Sequence, residues 1–107
     1  RMDFDAALAE LRAEYAVRLQ RDLDDVSEMV LAFAADTGNA EHRERARFQA
    51  HRLKGSAGTF GFPAVSEHAG RIEELLRRAA ANPDDATLPT LLREALSALT
   101  AARPAAP

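Results

Sequence analysis

FDAALAELRAEYAVRLQRDLDDVSEMVLAF, residues 4–33, carries its large apolar side chains at Phe4, Leu8, Leu11, Tyr15, Leu19, Leu23, Val26, Val30 and Phe33. Every step between them is three or four residues, which places them all on one side of a single α-helix. Asp3 or Asp5 is positioned to cap its start. The run ends at Asp36-Thr37-Gly38-Asn39, where Gly38 suits a helix C-terminus. A helix of roughly 30 residues is about 45 Å long, the spine that an elongated bundle needs.

Working outward from this helix, Asn39 can cap a second one running from about Ala40 to Thr59, with Ala46, Ala50, Leu53 and Ala57 on its apolar face, extended by Phe60. Phe60-Gly61-Phe62-Pro63 breaks it, and Pro63 sits well in the first turn of a third helix. That helix repeats Val65, Ala69, Ile72, Leu76 and Ala79 and stops before Asn82-Pro83-Asp84-Asp85. A fourth shows Leu88, Leu92, Ala95, Leu99 and Ala102, with Thr87 as its cap and Pro89 in its first turn. Short connections make consecutive helices antiparallel neighbours. The expected fold is therefore all-α, an antiparallel up-down-up-down four-helix bundle. Residues 1–102 form the domain, and 103–107 read as a linker or frayed tail.

Composition agrees with this reading and narrows the function. At 107 residues the chain is one domain's worth. Alanine is abundant and β-branched residues are scarce, which favours helix. With no cysteine there is no disulfide, thiolate zinc site or thiol nucleophile. The 14 Lys+Arg against 17 Asp+Glu leave a net charge of −3, unsuited to a general nucleic-acid binder. No stretch resembles a signal peptide or a membrane span, so a cytoplasmic protein without membrane contact is expected.

On a helical wheel the second helix separates into two poles. Opposite the core pole lie Glu44, Arg47, Phe48, His51, Lys54, Gly55 and Gly58. His51 therefore points at solvent near mid-helix, with Lys54 and Gly55 about one turn further on. A neutral imidazole is a competent nucleophile near pH 7. Phosphoryl transfer asks for little beyond in-line positioning and compensation of oxygen charge, and an ammonium at Lys54 can reach phosphoryl oxygens attached to His51. Glycine costs roughly 1 kcal/mol relative to alanine inside a helix. A missing side chain at Gly55 would let another protein approach the His51 ring. Gly58 reads equally as part of that clearance or as the start of the break before Gly61.

The segment His51-Arg52-Leu53-Lys54-Gly55-Ser56-Ala57-Gly58-Thr59-Phe60-Gly61 resembles the signature of histidine phosphotransfer (HPt) domains, His-x-Leu-Lys-Gly with a further Gly six residues on. The likeness continues in kind through Ile72-Glu73. It implies that His51 is the phosphorylated residue, that Lys54 assists the phosphoryl group, and that Gly55 clears space for a receiver domain. It places Glu73 where a Glu or Gln orients the imidazole through its inner nitrogen, leaving the outer one to attack phosphorus. Arg77, one turn along, would add positive charge; Glu73 and Arg77 also suit a surface i,i+4 pair. Thr59-Phe60-Gly61-Phe62 is similar to the N-terminal phosphotransfer domain of chemotaxis histidine kinases, from which the chain departs at Leu53, where Ile is common, and at Gly70, where a second histidine is usual.

The resemblance implies a phosphocarrier in a two-component phosphorelay and, as an isolated chain, not an enzyme, whether it is free-standing, the tail of a hybrid kinase or the phosphotransfer domain of a chemotaxis kinase. Its partners would be a histidine kinase catalytic domain or hybrid-kinase receiver as donor, and a response-regulator receiver as acceptor, docking over Phe48, Gly55 and Gly58. No cofactor is expected, Mg²⁺ being supplied by the receiver, and the three histidines lack the spacing of a metal site. His42 and His68 read as packing or surface residues. Asp22, Asp24, Asp25 and Glu28 read as a solvated face, and Ser56 and Ser66 lie near no candidate base. The competing reading is a helical adaptor bundle that docks through the same face without phosphorylation.

Overall fold

The computed structural model describes residues 2–105, with side chains from residue 3. Four helices follow in order: α1 Met2–Ala35, α2 Ala40–Thr59, α3 Pro63–Ala81 and α4 Leu88–Ala101. Each packs on two others, α1 on α2 and α4, and α3 on α2 and α4. That closed ring of neighbours joined by short turns is the up-down-up-down bundle. The molecule measures 54 × 21 × 19 Å.

The core forms where the apolar stripes face inward. α1 contributes Tyr15, Leu19, Leu23, Val26, Val30 and Phe33, and α2 contributes Ala46, Ala50, Leu53 and Ala57. Three of those four α2 residues are alanines, so α2 lies close against its neighbours and Leu53 is its one large knob. The stripes predicted for α3 and α4 are buried as far as Leu99, joined by Leu75, Glu73 and Leu96, while Ala102 is half-buried against them. Phe4, Leu8 and Leu11 behave otherwise. They continue the α1 stripe, yet they are 67%, 47% and 50% exposed. The reason is length: α1 has 34 residues and α2 has 20, so the first turns of α1 run past the end of the bundle.

The helix ends are set by local chemistry. Asn39 caps α2, its Oδ1 accepting from the His42 amide at 3.0 Å, and Pro63 stands in the first turn of α3. α2 closes in a Schellman turn: the Phe62 amide donates to the Ala57 carbonyl (2.8 Å) and the Gly61 amide to that of Gly58 (3.4 Å). Gly61 takes the left-handed φ of 83° that this turn requires. Arg12 of α1 reinforces it, donating to the carbonyls of Phe60 (3.0 Å) and Gly61 (3.4 Å).

Three expected end signals work differently. Asp3 and Asp5 lie inside the first turn of α1, where carboxylates favour the helix dipole. α1 ends at Ala35, and Gly38 needs no left-handed backbone. Thr87 makes no side-chain cap on α4, because its hydroxyl and amide both donate to Asp85 (2.6 and 2.9 Å), which holds the Asp85 carboxyl below its usual range. Within the stretch read as a tail, Arg103 donates to Asp24 (2.6 Å) and Gln20 (2.8 Å), and Gln20 donates to the Pro104 carbonyl (2.9 Å). Ala106 and Pro107 lie outside the described residues. None of the helices described is long and apolar enough to cross a membrane.

Candidate functional site

His51 sits near the middle of α2 on the side away from Ala50 and Leu53, with 62% of its side chain exposed. The ring is held from beneath. Nδ1 lies 2.7 Å from Oε2 of Glu73, whose side chain is only 1% exposed. A carboxylate in its ionised form can only accept, so this contact suits the tautomer with the proton on Nδ1, which leaves the Nε2 lone pair free.

A buried carboxylate is costly unless it is paired and hydrogen-bonded. Glu73 meets that condition with two hydrogen-bond partners and one further cation, from two helices. Arg77 donates to the same Oε2 at 3.0 Å, and the Lys54 ammonium stands 3.8 Å from Oε1. The i,i+4 pair with Arg77 is present, but Glu73 is buried and not a surface residue, and the same carboxylate contacts His51. Arg77 also reaches Glu74, at 3.6 Å. His51, Lys54, Glu73 and Arg77 form one cluster, with two cations beside an exposed imidazole.

Two residues to which the sequence reading gave no part in the site, Ser66 and Gly70, adjoin Lys54. The Ser66 hydroxyl donates to the Lys54 carbonyl at 2.8 Å. Gly70 makes room for the lysine stem; a Cβ there would stand 3.4 Å from Lys54 Cδ. Ser66, Gly70, Glu73 and Arg77 follow steps of four, three and four, so they form one stripe of α3 facing α2. That spacing was the available signal. It is less visible than an apolar stripe because its members share no chemistry.

The rim around His51 has a mixed character. Phe48, one turn before, is 55% exposed, with the Arg52 guanidinium 5.8 Å from its ring centroid. Arg47 donates to Glu44 at 3.0 Å and keeps the Glu44 carboxyl below its usual range. Beyond His51 a shallow depression is lined by Arg52, Gly55, Ser56, Thr59 and Phe60. A Cβ at Gly55 would meet nothing within 4 Å, so the space above it is open. At Gly58 a Cβ would come 3.2 Å from Ser66 Oγ, which ties that glycine to α2–α3 packing.

The remaining candidates stand apart. His42 and His68 are half-buried, and His42 Nδ1 has no hydrogen-bond partner among the described residues. No group of three potential metal ligands occurs among those residues. In comparisons with known proteins, the family model described as Hpt domain matches residues 5–102. No curated protein and no solved structure matches the chain.

Proposed function

The chain belongs to the Hpt domain family, whose members carry phosphoryl groups on histidine in two-component signalling, and from that premise we propose that His51 is the phosphorylated residue of a phosphorelay. The observation that carries the reading is the 2.7 Å contact between His51 Nδ1 and the buried Glu73 under an exposed ring. Nε2 attacks the phosphorus of the donor, the N–P bond forms, and the P–O bond to the donor breaks. The Nδ1 proton stays between ring and carboxylate. As Nε2 gives up its lone pair, the ring becomes positive, and a preorganised buried carboxylate favours that change. Lys54 and Arg77 compensate charge on the phosphoryl oxygens. In the onward step, an aspartate of a response-regulator receiver attacks phosphorus and the N–P bond breaks.

The receiver docks over Phe48, Gly55 and Gly58, bringing its own acidic pocket and Mg²⁺. The phosphoryl donor is a histidine kinase catalytic domain or the receiver of a hybrid kinase. The chain acts as a carrier, not a catalyst, in the cytoplasm. The test is incorporation of labelled phosphate from the cognate donor into the parent and three variants. His51→Gln is expected to take up none, with its melting midpoint nearly unchanged, because an amide nitrogen delocalised into its carbonyl cannot attack phosphorus. His42→Gln and His68→Gln are expected to be labelled like the parent, with acid-labile, base-stable phosphate. Label retained on His51→Gln would overturn the assignment, and a parent that is never labelled would favour an adaptor bundle.

A further inference from the structure

Among the described residues no element covers the first turns of α1: every side chain from Asp3 to Glu14 is exposed. Phe4, Leu8 and Leu11 form a ridge there at i, i+4 and i+7, and Tyr15 continues the same spacing into the bundle. Contiguous exposed apolar surface of this kind marks an interaction site, and alternating steps of four and three are the seam of a two-helix pairing. Where the ridge meets the bundle it borders a shallow depression lined by Leu11, Glu14, Tyr15, Arg18 and Phe60.

We propose that the ridge pairs two copies of the chain antiparallel, about a two-fold axis passing between residues 9 and 10. In this register Leu8 of one copy packs on Leu11 of the second, and Phe4 arrives at the level of Tyr15, over the depression beside Phe60. Each copy therefore carries both the knob and the hole, the self-complementarity that a two-fold interface requires. The charges agree with this orientation. Asp5 comes beside Arg12 of the second copy, and the symmetry makes the ion pair twice. Arg12 spends Nε and one terminal nitrogen on the α2–α3 turn, which leaves its other terminal nitrogen for Asp5. Asp3 and Glu10 point away from the seam, and Glu14 faces Ala7. A parallel pairing would instead set Ala7 beside Arg12 and Glu14 beside Leu19, forming no ion pair at either place. Two short helices bury an area near the lower end of specific interfaces, which begin at roughly 1,200 Å². The dimer therefore dissociates on dilution. This inference does not depend on the phosphocarrier reading.

Sedimentation velocity over a roughly thousand-fold range of concentration is expected to show the parent passing from monomer to dimer. Leu8→Asp is expected to raise the midpoint concentration at least about tenfold and leave the melting curve nearly unchanged, since Leu8 is exposed and outside the buried core. The chain has no cysteine, so register is read by oxidative crosslinking: Leu8→Cys mixed with Leu11→Cys is expected to crosslink faster than either variant alone. A parent that stays monomeric throughout, or a dimer indifferent to Leu8→Asp, would overturn the proposal. So would faster crosslinking of Leu8→Cys with itself, the result for a parallel pair. A monomer in which Leu8→Asp slows transfer to a receiver would overturn it too, assigning the ridge to the receiver.

Discussion

At the scale of single residues, the site depends on one carboxylate placed where it cannot be solvated. Glu73 is hydrogen-bonded to His51 and Arg77 with the Lys54 ammonium 3.8 Å away, and because these partners are largely exposed, removing one changes the chemistry more than the fold. Lys54→Ala is expected to slow phosphorylation of His51 by roughly tenfold, a partial loss because Arg77 remains on Oε2. Its unfolding free energy should move by less than about 1 kcal/mol, as for other partly exposed ion pairs. Single-turnover labelling beside urea unfolding checks both statements, and transfer at the parent rate would remove Lys54 from the mechanism. The periodicity of α2 made the exposure of His51 legible, because the wheel alone sets it opposite Ala46, Leu53 and Ala57. The burial of Glu73 was not legible. Its neighbours on α3 alternate between Leu75-Leu76 inside and Glu74 and Arg77 outside, so the wheel places it at the boundary, and only α2 decides which side.

At the scale of elements, α2 carries the proposed phosphorylation site and its two ends determine how it is held. Gly55→Trp is expected to fold normally, because a side chain at that position meets open space, and to weaken receiver binding at least about tenfold by steric block. Titration calorimetry with the cognate receiver measures it, and undiminished affinity would move the docking face elsewhere. Gly61→Ala tests the closing turn. A residue with a Cβ in the left-handed region costs roughly 1–2 kcal/mol, and here the Cβ would also press within 3.2 Å of the Arg12 guanidinium. The variant should therefore lose about 2 kcal/mol in denaturant unfolding while His51 is still phosphorylated. The break at Gly61 could be read from sequence, since Gly and Pro flank it. Its reinforcement by Arg12 could not, because the two lie 49 residues apart.

At the scale of the whole molecule, the aromatic cluster where α1 meets the α2–α3 turn couples stability to alkaline pH. Tyr15 is 2% exposed and stacks on Phe60 with centroids 4.5 Å apart, and its hydroxyl finds no partner among the described residues. Burial, with Asp22 adding to it, pushes its pKa up from 10.0 to about 12. Tyr15 thus binds its proton more tightly folded than unfolded, so its contribution is intact below pH 10.0 and is lost as pH rises through about 12. Tyr15→Phe keeps the stacking and removes both the titration and the orphaned hydroxyl. It should raise stability by about 1 kcal/mol at neutral pH and flatten the alkaline decline, as followed by circular dichroism melts across that range.

Sequence alone determined the four helices, their order and the histidine face, because each follows from spacing within one segment and from short turns that permit only antiparallel neighbours. Phe4, Leu8 and Leu11 share the spacing of Val26 and Val30, yet only the two valines are buried; what covers a stripe depends on how far the other helices reach. The same holds for Glu73 under His51, Gly70 beside the Lys54 stem, Gly58 against Ser66 and Arg12 on the turn. Each is a contact between helices. Periodicity reports the angle of a side chain around its own axis, whereas the distance to a neighbouring helix is set only when the cores interlock, and so the tertiary structure decided them.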